Sequence, residues 1–203
     1  TGSSLNKVSR LSNQENVFYL RNLDDSLSIK KAFASSKKIV ILGAGYIGLE
    51  IASIASLNDI DVTIIEKEDR IMSRVVSTNI STFLQKKHTA NNIKFLLQTS
   101  IVSFENKDDK KLLLLSNKDK IEADLLIIGI GVHPNISLAK KIGLECSDGI
   151  DVDEFGETSN KDIYACGDCA NHHNMFYNKR IRLESVQNAI EQAITVAHSI
   201  NGQ

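Results

Sequence analysis

The chain has 203 residues, with 24 Lys and Arg against 25 Asp and Glu for a net charge of −1. That length suits one large or two small domains with a substantial core, and the balanced charge gives no electrostatic footprint for a nucleic acid. The apolar runs Leu112 to Leu115 and Leu125 to Ile128 are strand-length, far below the roughly 20 residues a membrane-spanning helix needs, and the polar opening is not a secretory signal. A soluble cytoplasmic protein with no membrane partner is expected.

After the polar opening, Leu23, Leu27, Ile29, Ala32 and Phe33 recur at helical spacing, predicting a helix over Asn22 to Ser35 with Asp24 and Asp25 at its dipole-compatible front. Lys38 to Glu66 reads as a strand, a helix marked by Ile47, Leu49, Ile51, Ala52, Ile54, Ala55 and Leu57, and a second strand. A further helix is predicted over Ser77 to Lys87. Ile93 to Leu97, Ser100 to Phe104 and Lys111 to Ser116 read as three strands of a small antiparallel meander serving as a crossover. Asp124 to Gly129 then returns to the sheet as a buried strand. Beyond Cys146 come a short strand and turn at Asp148 to Asp153, a strand at Ile163 to Cys166, and a final helix from Arg182 onward. The expectation is an α/β fold: a parallel sheet flanked by helices, with an antiparallel β-meander appended and later pieces that lack a complete sheet of their own.

The most specific pattern lies at the first strand-to-helix junction, Leu42-Gly43-Ala44-Gly45-Tyr46-Ile47-Gly48-Leu49-Glu50, with an acid, Glu66, at the end of the next strand. This is the arrangement of a dinucleotide site in a Rossmann-like sheet. Gly43 permits the tight turn, Gly45 permits close approach of backbone to a pyrophosphate, and Gly48 permits close helix–strand packing. The phosphates are then expected at the helix N-terminus, with Glu66 accepting from the ribose hydroxyls. A carboxylate there repels a 2′-phosphate and favours NAD over NADP, a preference that the neighbouring Lys67, Arg70 and Arg74 soften.

Together with a second glycine block, Gly129-Ile130-Gly131-Val132-His133-Pro134-Asn135, and the segments Ile163 to Ala170 and Arg182 to Ala189, these residues resemble the FAD-dependent pyridine nucleotide–disulfide oxidoreductase superfamily. Within it, the chain is most similar to the ferredoxin reductase branch. The resemblance implies two cofactors, NAD and FAD. Gly43, Gly45, Tyr46, Ile47, Gly48, Glu50, Glu66, Lys67, Arg74, Gly129, Ile130 and Gly131 would line the nicotinamide coenzyme. Thr1, Gly2, Gly167, Asp168, Ser185 and Val186 would line the flavin, with Asp168 on its ribityl or diphosphate part. It also implies an organisation: a flavin-domain remnant and connector over 1–20, an NAD-binding domain over 21–147, and an incomplete second half of the flavin-binding domain over 148–203. A chain truncated at both ends is the reading, without the opening glycine motif and the terminal interface domain of such proteins.

The activity implied is hydride transfer from NADH to FAD, with electrons passed on to a ferredoxin-type iron–sulfur protein. No side chain is assigned a catalytic role, since the cofactors carry the chemistry. Two alternatives stay open: a nucleotide-binding fragment without turnover, and a relative of the disulfide reductases, against which the Arg182 to Ala189 block argues. A homodimer is also left open. Cys166-Gly167-Asp168-Cys169 has redox-dithiol spacing and, with His172 and His173, makes four potential zinc ligands, but the spacing fits no standard zinc site and the aspartate falls on the flavin motif. No metal is expected.

Overall fold

Leu125, Leu126, Ile127 and Ile128 are each no more than 1% exposed, and a strand apolar on both faces belongs inside a parallel sheet covered on both sides. A computed structural model of the chain describes residues 2–11, 14–107 and 110–203. In chain order its elements begin β1 (Ser3–Leu5), β2 (Val17–Tyr19), α1 (Leu23–Phe33), β3 (Lys38–Leu42), α2 (Tyr46–Leu57), β4 (Asp61–Ile65), α3 (Thr78–Ala90), β5 (Lys94–Leu96), β6 (Ile101–Lys107), β7 (Lys110–Leu115), β8 (Lys120–Ala123) and β9 (Leu125–Ile128). Two compact units emerge, Leu5–Gly131 and a second made of Val132–Gln203 with the residues up to Ser4.

The first unit is built on a five-stranded sheet of order β2-β9-β3-β4-β5, parallel throughout. One face packs α1 and α2 through Ile29, Leu49, Ile51, Ala52 and Ala55 against Ile39, Ile41, Val62, Ile64 and Ile127. The other face buries Val40, Ile65, Leu126 and Ile128 against Leu113, Leu115 and Ala123 of the meander. The expected parallel sheet with an antiparallel meander is therefore present, with two differences in membership. Lys94–Leu96 is not a meander strand but the sheet edge, parallel to β4; Ile93 is 1% exposed and Phe95 and Leu97 pack on the helix-side core, so this short run has a buried face to satisfy in the sheet. The meander is instead β6-β7-β8, its third strand being the charged Lys-Ile-Glu-Ala run at Lys120–Ala123.

Helix α1 starts where its sequence says it should. Asn22 accepts from Asp25 N–H at 2.9 Å, while Asp25 Oδ2 accepts from Asn22 N–H at 3.1 Å, a reciprocal capping box. Asn22→Ala is expected to cost about 1 kcal/mol of stability, read as a lower urea midpoint with unchanged slope.

The second unit continues with β10 (Val132–Pro134), α4 (Ser137–Lys141), β11 (Cys146–Ser147), β12 (Gly149–Val152), a 3-10 turn at Gly167–Cys169, β13 (Ala170–Asn174), β14 (Lys179–Ile181) and α5 (Val186–Ile200). Its four-stranded sheet has the order β11-β12-β13-β14, with β12 and β13 parallel and the outer pairs antiparallel. Ile163 to Cys166 does not form the expected strand: only a single bridge links Tyr164 to Glu157, and Cys166 already caps the 3-10 turn. The strand that pairs with β12 begins four residues later, at Ala170. Helix α5 is amphipathic but has no buried residue; Val186, Ile190, Ile194 and Ile200 form an exposed apolar stripe.

Candidate functional site

In the first unit the loop between β3 and α2 is shaped by contacts that only glycine allows. Gly43 has φ +105°, and a Cβ there would lie 2.4 Å from the carbonyl oxygen of Gly129. A Cβ on Gly48 would lie 2.1 Å from the carbonyl oxygen of Gly43, so the first turn of α2 rests directly on the loop. Gly45 differs: it caps α2 at φ −83°, makes no side-chain cap, and a Cβ added to it meets nothing within 4 Å. The first turn of α2 has no capping side chain and no acidic residue, the setting in which an anion is held by backbone donors and the helix dipole.

Glu66 lies beside this loop. Its Oε2 accepts from Ala44 N–H at 2.7 Å and its Oε1 from Glu68 N–H at 3.0 Å, while Met72 N–H bonds to the Ala44 carbonyl at 3.0 Å. The carboxylate is therefore clamped against the glycine turn. Each carboxylate oxygen keeps a second acceptor position for a ligand hydroxyl. Arg70 braces the neighbouring turn, donating to the carbonyls of Ser73 and Val76, and is not directed to the loop.

The second glycine block joins the first. Gly129 N–H donates to Leu42 O at 2.8 Å, and a Cβ added to Gly131, at φ +89°, would lie 3.4 Å from the Arg74 guanidinium and 3.7 Å from the Asn6 amide. Ile130 packs on the meander-side core. Tyr46 and Ile47 are exposed at the start of α2, Glu50 is exposed on its next turn, and Lys67 pairs with Glu68 at 3.5 Å. Asn6 carries no motif, yet its backbone N–H donates to Gly131 O at 3.0 Å and its side chain reaches Ile130 O.

In the second unit Asp168 lies in the 3-10 turn, half-buried, with Oδ2 accepting from Ser3 Oγ at 2.9 Å and its own carbonyl accepting from Arg182 at 3.0 Å. Gly167, at φ +74°, donates its N–H to Gln192 Oε1 at 2.7 Å. Ser185 is the N-cap of α5 and accepts from Asn188 N–H at 3.2 Å; Val186, the first helical residue, is 71% exposed. Gly2 bonds through its carbonyl to Asn135 N–H, and Thr1 lies outside the described residues.

Ser3 and Gln192 contact this turn without having been singled out by sequence, and Arg182, which opens the Arg182 to Ala189 block, contacts it too. Ser3 is 165 positions from Asp168, beyond any local pattern. Gln192 was legible: it follows Ser185 by seven residues, on the same helix face.

The Cys166 and Cys169 thiols are free, and the Cys169 thiol points at Cys166 O, 3.6 Å away. Burial first, then the neighbouring Cys169, push the Cys166 thiol above its usual range, which disfavours the reactive thiolate. Among the described residues no group of three or more His, Cys, Asp or Glu is placed to hold a metal ion.

A model of the pyridine nucleotide-disulphide oxidoreductase family matches residues 1–193. Rubredoxin-NAD(+) reductase of Pseudomonas putida is 37% identical over 204 residues, covering 100% of this chain and 53% of that protein. A ferredoxin reductase from Rhodopseudomonas palustris superposes with a TM-score of 0.95 at 33% identity, over 100% of this chain and 51% of that one. Putidaredoxin reductase, solved as a covalent complex with putidaredoxin, gives 0.94 at 34% identity, over 100% and 50%. The chain spans about half the length of these relatives. By its two glycine blocks, the acid beside the first, and the match along nearly its whole length, the chain belongs to the pyridine nucleotide-disulphide oxidoreductase family.

Proposed function

We propose that this chain is the coenzyme-binding part of an NADH-dependent flavoprotein reductase that delivers electrons to a ferredoxin-type iron–sulfur protein. The observation that carries the reading is the glycine turn itself: open space over Gly45, uncapped N–H groups behind it, and Glu66 clamped beside it by Ala44 N–H. Those features fit a dinucleotide, with the diphosphate at the start of α2 and the adenosine ribose at Glu66. Gly129, Ile130 and Gly131 are proposed to supply close-approach backbone, with Tyr46, Ile47 and Glu50 exposed at the start of α2 and Lys67 and Arg74 proposed as further coenzyme contacts.

When bound, the nicotinamide and flavin groups supply the redox chemistry, hydride transfer followed by single-electron delivery. The chain's own residues orient. Holding donor and acceptor in place removes translational and rotational freedom worth roughly 7 to 11 kcal/mol of barrier. On the flavin side, Asp168 offers carboxylate oxygens to hydroxyl donors, Gly167 turns the backbone sharply enough to present them, and Ser185 and Val186 start the helix beside that turn. The similarity to reductases of rubredoxin and putidaredoxin supports an iron–sulfur or rubredoxin-type acceptor. The three free thiols support a reducing, cytoplasmic compartment.

The test is calorimetry of the purified 203-residue chain with NADH, NADPH and FAD, accompanied by its absorption spectrum. NADH is expected to bind at least about tenfold more tightly than NADPH, a difference of about 1.4 kcal/mol, and added FAD to be retained through gel filtration as a yellow protein. Absence of NADH binding overturns the proposal. NADH binding with no flavin retained favours a nucleotide-binding module without turnover.

A further inference from the structure

The turn that presents Asp168 is held from behind by two hydrogen bonds whose directions are fixed. Gly167 N–H donates to Gln192 Oε1 at 2.7 Å, and a backbone N–H can only donate. The Gln192 carboxamide is thereby oriented, and its NH2 group faces His172 Nδ1 at 3.0 Å. An amide NH2 can only donate too, so Nδ1 must accept. That arrangement calls for the neutral imidazole with its proton on Nε2. We propose that Gln192 is a positioning residue for the Asp168 turn and that neutral His172 locks it in the orientation that holds Gly167. This rests on the flavin role proposed for Asp168.

Protonating Nδ1 sets two donors against each other across 3.0 Å. The conflict is relieved by turning the carboxamide over, which aims NH2 at Gly167 N–H, or by parting one of the two contacts. Turning it over leaves the Gly167 N–H without an acceptor, and parting a contact breaks the chain that fixes it. Gly167 directly precedes Asp168 and sits against Ala189 of the same helix, so the turn loses the anchor that sets where Asp168 points.

The surroundings of His172 come from four elements. Arg180 on β14 and His173 on β13 oppose its protonation, and burial opposes it more than either, holding His172 below the ordinary imidazole value. Arg180 is partly offset by Asp151 on β12 at 3.5 Å. Asp153, Glu154 and Glu191 line the same cavity of about 250 Å³. With its native pKa depressed, His172 contributes stability that is complete above the ordinary imidazole value. That stability is lost as pH falls from there toward the native one.

The experiment is a ¹⁵N NMR titration of the whole chain from about pH 8 to about pH 5, spanning the imidazole range. The expected result is a His172 ring with its proton on Nε2 at the upper end, and a Gly167 amide whose shift and exchange rate follow the His172 midpoint. His172→Asn places an oxygen where Nδ1 stood, accepting from Gln192 without titrating; it is expected to keep the Gly167 amide protected and its pH profile flat. Gln192→Met matches the length without the amide and is expected to lose that protection at every pH. A proton on Nδ1 at neutral pH, or a Gly167 amide indifferent to His172 titration, overturns the proposal.

FAD affinity, measured in parallel, is expected to fall by about tenfold through the same pH range in the parent, the loss of one ordinary hydrogen bond, and to stay level in His172→Asn. If the amide couples as described but Gln192→Met binds FAD like the parent, the positioning role is overturned. If no variant and no parent binds FAD, the flavin reading fails, while the coupling is still decided by the amide.

Discussion

Gly43→Ala is expected to destabilise the first unit by about 2 to 6 kcal/mol and to abolish NADH binding, because overpacking and left-handed backbone strain each contribute on the order of 1 to 3 kcal/mol. Both causes are present: φ is +105°, and the new methyl would lie 2.4 Å from a backbone carbonyl oxygen that belongs to a core strand end and cannot withdraw. Gly45→Ala is the informative partner. Its methyl enters open space at φ −83°, so stability should remain within about 1 kcal/mol of the parent, whereas NADH affinity should fall by about tenfold or more if a diphosphate occupies that space. Thermal melts and calorimetry of the two variants separate packing from binding. A Gly45→Ala protein that binds NADH like the parent would remove the diphosphate from this loop.

Glu66→Ala is expected to weaken NADH binding by about 10- to 150-fold, the 1.5 to 3 kcal/mol that a hydrogen bond to a charged group contributes. The geometry makes this more than the loss of a ligand contact, since the same carboxylate holds the N–H groups of Ala44 and Glu68. Swinging the acid aside to admit a 2′-phosphate would forfeit both bonds, which is expected to disfavour NADPH. Glu66→Gln keeps an acceptor for one of those N–H groups and drops the charge; the gap between NADH and NADPH should narrow while most of the fold stability stays. An unchanged NADH dissociation constant in Glu66→Ala would end the assignment.

What was legible in the sequence was legible for local reasons. The glycine turn, the helix from Asn22 with its acidic front and the buried Leu125 to Ile128 strand each carry their cause within a few residues. The neighbours of Lys94–Leu96 in sequence are meander strands, which points it to the meander, yet its partly buried Phe95 packs on the helix-side core where β4 offers an open edge. The Ala170–Asn174 strand, Ala-Asn-His-His-Asn, has almost no intrinsic preference for extended structure; it is extended because β12 and β14 pair with it on either side. On the candidate sites, the long-range supports of the motif residues were not visible. Ser3 reaches Asp168 and Asn6 reaches Gly131 across more than a hundred positions, and no periodicity spans such separations.

The uncovered ridge along α5 governs how this polypeptide behaves as a material in water. Net charge is only −1, so colloidal repulsion between molecules is weak, and four rungs of aliphatic side chain stand ready to adhere. Sulfate and other excluded salts sharpen that adhesion; handling the protein therefore calls for low ionic strength and dilution, conditions under which the electrostatics around His172 and Glu66 are also least screened.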